Sequence, residues 1–240
     1  MTVVIPAGGK GGGMYPFTAG MPKSLIPIDT KPMLVHILEN FDPGVFEKII
    51  IVGDTYFPMI KEYVSAFKHK TTIPIECIQI YEPPTRMLLK IKDRLSETFA
   101  IHYCDIVTGK IAWKEGYERY IRTRETDPRL AGNMFVSQYY YLPIGIVRQD
   151  PQNEGYITEF VEKPEKIMRN FINMAVSIFD KSILQDIESS DESLYGESFP
   201  RSIAQGKKFI YQEHGKWYHF QRLGEWFDKQ SEFYSKLKNN

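Results

Sequence analysis

The residues best suited to chemistry come early in the chain. Between Ala7 and Thr18 it reads AGGKGGGMYPFT, with glycine at 8, 9, 11, 12 and 13. Glycine at that density admits positive φ and lets main-chain N–H groups converge on an anion with no side chain in the way, which is the chemistry of a phosphate cradle. A flexible surface loop has the same composition. Shortly afterwards Lys23 stands between Pro22 and Pro27 in PKSLIPI. Prolines stiffen the backbone around it, and an ammonium held that way can act as a fixed charge against a phosphate. Taken alone, it reads as a solvated loop lysine. Two common nucleotide motifs are excluded, because Gly-x-Gly-x-x-Gly fails at Met14 and no Lys-Ser or Lys-Thr follows Gly13.

The elements that must position these residues follow from hydrophobic patterning. Thr2 to Ile5 is a short β-branched run leading straight into the glycines, as a buried parallel strand would. Met33, Leu34, Ile37, Leu38 and Phe41 recur at helical spacing, with Asp29 or Thr30 as a start signal ahead of Lys31-Pro32. KIIIVG at 48–53 is apolar on both faces and predicts an interior strand. A helix from Met59 to Phe67, a strand from Ile73 to Ile80, a turn at Pro83-Pro84, a helix from about Met87 to Leu95 and a strand from Thr98 to Tyr103 continue the alternation.

Such alternation predicts an α/β, Rossmann-like fold: a mixed, mainly parallel sheet flanked by helices, with ligands at the carboxyl ends of the strands. The loops after Ile5, Gly53, Ile80 and Tyr103 are therefore where chemistry is expected. Met134 to Val147 and Ile157 to Val161 predict antiparallel strands added to that core, and Ser189 to Ser193 a loop. With no repeat or linker, residues 1–240 read as one domain, with a half of about 1–130 built on strand–helix alternation and a sheet-rich half of about 131–240.

Composition narrows the function classes. Hydrophobic residues are 42% and charged residues 25% of the 240, so the chain is neither disordered nor fibrous. Lys plus Arg and Asp plus Glu both number 30, and no dense basic run marks a nucleic-acid or membrane-surface partner. No apolar stretch is long enough to cross a bilayer and no leader pattern opens the chain, which gives a cytoplasmic expectation. Cys77 and Cys104 are expected reduced and buried.

The motifs together resemble a family. The glycine loop after the first strand, Pro16-Phe17-Thr18, PKSLIPI and Lys31-Pro32-Met33 are similar to the signature of the sugar-1-phosphate nucleotidylyltransferases. Tyr103-Cys104-Asp105 resembles the family's strand-end metal aspartate, Phe160-Val161-Glu162-Lys163-Pro164 its Val-Glu-Lys-Pro segment, and the segment from Asn173 to Phe179 its Asn-x-Gly-x-Tyr-x-Phe strand. Trp217 and Leu223-Gly224-Glu225-Trp226 resemble its closing strand and helix. The likeness runs through nearly the whole chain, in order.

The resemblance implies an enzyme that joins a nucleoside triphosphate to a sugar 1-phosphate and releases pyrophosphate, by in-line attack assisted by Mg²⁺. It implies that main-chain groups of Ala7, Gly8 and Gly9 cradle base and ribose, with Lys10, Gly11, Gly12 and Gly13 over the triphosphate. Lys23 would neutralise phosphate and Asp105 would hold the metal. Glu162, Lys163 and Asn173 would face the sugar phosphate. A homo-oligomer is a further expectation.

Four departures accompany the likeness. The family's Gly-Thr-Arg is Gly11-Gly12-Gly13, so its pyrophosphate-clamping arginine is missing. Its Gly-Thr-Ala type segment is Pro84-Thr85-Arg86-Met87, and its Gly-Asp is Cys104-Asp105. Its late aspartate falls at His219 or at Arg222, depending on the anchor used. Two readings remain: an active enzyme whose missing charges come from Lys10, Arg86 or Arg222, or a catalytically impaired homologue that binds nucleotide or sugar phosphate as a regulatory or partner subunit. The late aromatics, Trp217, Tyr218, Phe220, Trp226, Phe227, Phe233 and Tyr234, suit a packed core better than an interface.

Overall fold

The computed structural model describes residues 1–67, 71–139, 146–149, 152, 157–161 and 171–227. In chain order the strands are β1 (Thr2–Pro6), β2 (Pro27–Ile28), β3 (Lys31–Pro32), β4 (Lys48–Gly53), β5 (Ile75–Gln79), β6 (Thr98–His102), β7 (Ile106–Thr108) and β8 (Leu130–Ser137). The remainder are β9 (Ile146–Gln149), β10 (Ile157–Val161), β11 (Ile172–Asp180), β12 (Lys208–His214) and β13 (Trp217–His219). The α-helices are α1 (Met33–Leu38), α2 (Phe57–Phe67), α3 (Pro84–Lys90), α4 (Trp113–Thr126) and α5 (Phe199–Ala204).

The main sheet has seven strands in the order β12-β8-β11-β6-β1-β4-β5. β1 runs parallel to β4 and β6, β4 parallel to β5, and β12 parallel to β8. β11 alone among these seven is reversed, antiparallel to both β6 and β8. This is the mixed, mainly parallel α/β sheet that the strand–helix alternation requires.

Both faces are covered, which is why the central strands read as unbroken apolar runs. Val3, Ile5, Ile49 and Ile51 point into one core with Leu34, Ile37, Ile60 and Val64 of α1 and α2, while Val4, Ile50 and Val52 point into the other with Met87 and Leu88 of α3. A third cluster of Met14, Ile26, Ile28, Met33, Tyr218, Phe220 and Trp226 seats the end of the described chain beneath the glycine loop. Tyr218, Phe220 and Trp226 are thus core residues, whereas Phe227 is 62% exposed. Phe233 and Tyr234 lie outside the described residues.

Several local expectations need correction. Asp29 and Thr30 do not cap α1: they form the β2–β3 hairpin turn, Asp29 takes φ 55, and Pro32 precedes the helix. Pro83-Pro84 opens α3 rather than preceding it by a turn, since proline at the first helical position loses no intrahelical hydrogen bond. β9 and β10 form a separate antiparallel pair, and β8 starts at Leu130 rather than Met134. α4 was not anticipated, because it buries Trp113, Gly116 and Tyr120 within a largely charged segment and so shows only a narrow apolar stripe. Cys104 is buried, but Cys77 is only half-buried.

Candidate functional site

The parallel strands set the stage. Because β1 lies between β6 and β4, their carboxyl ends bring the glycine loop, the Tyr103-Cys104-Asp105 turn and the Asp54 turn to one edge of the sheet. Beyond β1, the Ala7 amide continues the ladder to the Val52 carbonyl at 2.7 Å. Gly9 follows with φ 99, and its N–H donates to Asp54 Oδ2 at 2.6 Å. Asp54 Oδ1 accepts from its neighbour's amide, Thr55 N, at 2.5 Å. Of the amides assigned to a nucleotide cradle, those of Ala7 and Gly9 are therefore engaged within the protein, and a ligand taking the Gly9 amide must displace Asp54.

The loop then turns at Gly11, whose φ of 59 belongs to the left-handed region. A Cβ there would lie 2.7 Å from Thr18 Cγ2 and 3.5 Å from Lys23 Cβ. Thr18 pins the turn by donating its hydroxyl to the Gly11 carbonyl at 2.9 Å, and Tyr56 holds Thr18 in place through its carbonyl at 2.8 Å. Gly13 packs against the main chain of Gln221 so closely that any side chain would collide with the Gln221 carbonyl oxygen.

Behind the loop stands a charged cluster. Lys23 Nζ lies 2.7 Å from Asp105 Oδ2, each side chain 17% exposed, and His219 Nε2 lies 3.4 Å from the same oxygen. Burial pushes the Asp105 carboxyl upward, but the His219 hydrogen bond and the Lys23 ammonium outweigh it and hold it well below the usual carboxylate range. Burial likewise opposes the Lys23 charge, yet the neighbouring carboxylate wins and its pKa is raised. The adjacent Cys104 thiol is pushed up to about 12 by burial and by Asp105, so it is no nucleophile.

A cavity of about 480 Å³ opens on the Asp54 side of the loop, lined by Gly8, Gly9, Lys10, Asp54, Glu82 and Met87 among others. Arg86 is not part of that lining: its Nε donates to Glu82 Oε2 at 2.8 Å and its Nη1 to the Ser189 carbonyl at 3.4 Å. Asn173 sits on β11, where its Oδ1 accepts from Ala175 N at 2.9 Å and braces a bulge in which Ala175 takes φ 54. Glu162 and Lys163 lie outside the described residues.

The structure thus gathers Gly11, Lys23 and Asp105 and places Lys10 on the cavity wall. It commits Arg86 to an ion pair and brings His219, not Arg222, to Asp105. Among the described residues no group of three or more His, Cys, Asp or Glu side chains converges as metal ligands. Thr18 and Glu225 stand in motifs that carry the resemblance but were given no role there, and Asp54 was not singled out, although the loop after Gly53 was. Asp54 had a signal, since it follows Gly53 at a strand end.

The nucleotidyl transferase family model matches residues 2–229, and the chain belongs to that family. The mannose-1-phosphate guanyltransferase of Hypocrea jecorina is 28% identical over 224 residues, which cover 90% of this chain and 60% of that protein. Mannose-1-phosphate guanylyltransferase 1 of Arabidopsis thaliana is 27% identical over 220 residues, covering 86% of this chain and 57% of its own length. The chain therefore spans about 60% of the length of the first of these relatives. Among solved structures, a UDP-glucose pyrophosphorylase complexed with UDP-glucose superposes with a TM-score of 0.68 at 18% identity, covering 98% of both chains. A Bacillus anthracis protein assigned as a glucose-1-phosphate thymidylyltransferase gives 0.71 at 14% identity, covering 96% of this chain and 94% of its own. At these identities the structures share the fold. No helix among the described residues is long and apolar enough to cross a membrane.

Proposed function

We propose that this member of the nucleotidyl transferase family joins a nucleoside triphosphate to a sugar 1-phosphate, releasing pyrophosphate. The observation that carries the reading is the Lys23–Asp105 pair, 2.7 Å apart and directly behind the Gly11 turn. Both substrates are anions, so the work of the site is to hold them in line and offset crowded negative charge. Lys23 faces the phosphates and fixes the Asp105 carboxylate in its ionised state. The cavity beside Gly8, Gly9 and Lys10 takes the base and ribose, with Met87, Pro83 and Ile80 as apolar faces for stacking. Glu162, Lys163 and Asn173 are proposed for the sugar phosphate.

The donor set suits a hard divalent ion held by one carboxylate. Lys23 Nζ and His219 Nε2 both sit on Asp105 Oδ2, so Oδ1 carries neither, and Mg²⁺ is commonly bound by one or two carboxylates with phosphate oxygens and water completing its shell. Asp105 would hold it, and bound there it would offset the charge of the phosphate oxygens. His219 stands where a second carboxylate would face Asp105, and a histidine is a poor ligand for that ion.

The test is pyrophosphate release from the purified chain with Mg²⁺, each nucleoside triphosphate and a panel of sugar 1-phosphates. GTP with mannose 1-phosphate comes first, given the relatives' names. Release above background supports the reading. Ligand binding by calorimetry without any release supports the impaired, partner-subunit alternative instead.

A further inference from the structure

Cleaving a triphosphate between its α- and β-phosphates leaves negative charge on the departing pyrophosphate, and a site that works by electrostatics needs a cation there. The cations around the glycine loop can be taken in turn. Lys23 is on Asp105. Arg86 is on Glu82 and Ser189. Lys10 lines the cavity on the Asp54 side, a cavity whose lining does not include Gly13. Arg222 is different: among the described residues nothing engages its guanidinium, and its Cγ lies 3.7 Å from where a Gly13 Cβ would be.

Although no described residue pairs with its side chain, its main chain is firmly held. The amides of Gln221 and Arg222 both donate to Glu225 Oε2 at 3.2 Å, and the Arg222 carbonyl accepts from Trp226 N at 3.2 Å. The flanking residues are anchored in turn: Phe220 N donates to the Asp105 carbonyl at 2.9 Å, and the Trp226 indole N–H to the Pro27 carbonyl at 2.8 Å. One short segment therefore delivers His219 to Asp105 and Arg222 to the loop. The absence of a side chain at Gly13 is what permits it, since any Cβ would drive Gln221 and Arg222 off the loop.

We propose that Arg222 is the pyrophosphate clamp of this site, so that the cation is carried by the closing segment of the described chain and not by the glycine loop. The inference rests on the nucleotidyl-transfer reading. In that reaction an oxygen of the sugar phosphate forms a bond to the α-phosphorus, and the bond from that phosphorus to the α–β bridging oxygen breaks. The electron pair stays with the pyrophosphate. Arg222 donates hydrogen bonds to the β- and γ-phosphate oxygens, a planar fork matched to paired oxygens, and no proton transfer is required.

The experiment is calorimetric titration of wild type, Arg222→Ala, Arg222→Lys and Lys10→Ala with magnesium pyrophosphate, GTP and GMP, beside the pyrophosphate-release assay. Arg222→Ala is expected to weaken pyrophosphate and GTP by about tenfold or more while leaving GMP within about twofold, with kcat falling by about 10²-fold and Arg222→Lys restoring part. Thermal denaturation should show the variant folded as wild type. Unchanged pyrophosphate affinity in Arg222→Ala overturns the proposal. So does an equal loss for all three ligands, a loss confined to Lys10→Ala, or a wild type that binds no pyrophosphate. Turnover by wild type with an unaffected Arg222→Ala sinks only the clamp. Absence of binding and turnover with every nucleoside triphosphate and sugar 1-phosphate sinks the enzymatic reading with it.

Discussion

Asp191 and Asp105 are each paired with a half-buried cation, and they are finished differently. Asp191, 2% exposed, accepts from both Nη1 and Nη2 of Arg201 at 2.7 and 2.9 Å, from the Ser198 hydroxyl at 2.7 Å and from Glu188 N at 3.0 Å. Both of its oxygens are taken, and the pair closes the segment between β11 and α5 on itself. Asp105, 17% exposed, has Lys23 Nζ and His219 Nε2 on one and the same oxygen and faces the glycine loop. A fully partnered ion pair locks local structure, and burial makes breaking it costly. A pair left open on one side, at the carboxyl ends of parallel strands, is arranged to take a further charge.

The comparison can be broken experimentally. Asp105→Asn keeps the shape and removes the charge, and is expected to lower kcat by about 10³-fold while costing only about 1–2 kcal/mol of stability. Steady-state assays and urea titration together measure both; full rate in the variant ends the assignment of Asp105. Asp191→Asn should do the reverse, losing about 3–5 kcal/mol of stability in urea with KM for both substrates unchanged.

The acid limb tests the Asp191 pair in a second way, with Asp105, also held below the usual carboxylate range, acting in the same direction. Hydrogen bonding from Arg201, against the opposing effect of burial, holds the Asp191 carboxyl well below its ordinary value of 3.8. A depressed folded-state pKa adds stability that is complete above the unfolded value and is lost as pH falls below it. Stability of the wild type should therefore decline below about pH 4, and Asp191→Asn should flatten that decline in urea titrations at successive pH values. An unaltered acid limb would mean that another group controls it.

Smaller effects concern the open site's neighbours. Gly13→Ala should cost about 1–3 kcal/mol, because the new Cβ meets the Gln221 carbonyl, and pyrophosphate affinity should drop with it. His219→Asp places a second carboxylate against Asp105 and is expected to raise Mg²⁺ affinity by about threefold to tenfold in calorimetry. No change in either would show the segment 219–222 to be uncoupled from the site.

Much of this protein was legible in its chain. The β-branched runs at 2–5 and 48–53, the glycines at 8–13 and Lys23 between prolines announce themselves locally, because a strand buried on both faces must be apolar throughout and a left-handed turn needs glycine. α4 was hidden by its charge, and Asp54 by the ordinariness of an aspartate in a loop. The sequence by itself determined the sheet class and the place of the glycine loop at the end of the first strand.

Only the tertiary structure decided the partnerships. Lys23 meets Asp105 across 82 residues, Trp226 reaches Pro27 across 199, and Arg86 is captured by Glu82 and so removed from the choice of clamp. The choice between His219 and Arg222 as the neighbour of Asp105 turned on the register of β13 against β7, where His219 lies opposite Ile106. Local composition sets a residue's backbone preference and burial, but the charge it faces is contributed by segments whose approach depends on the packing of the whole sheet.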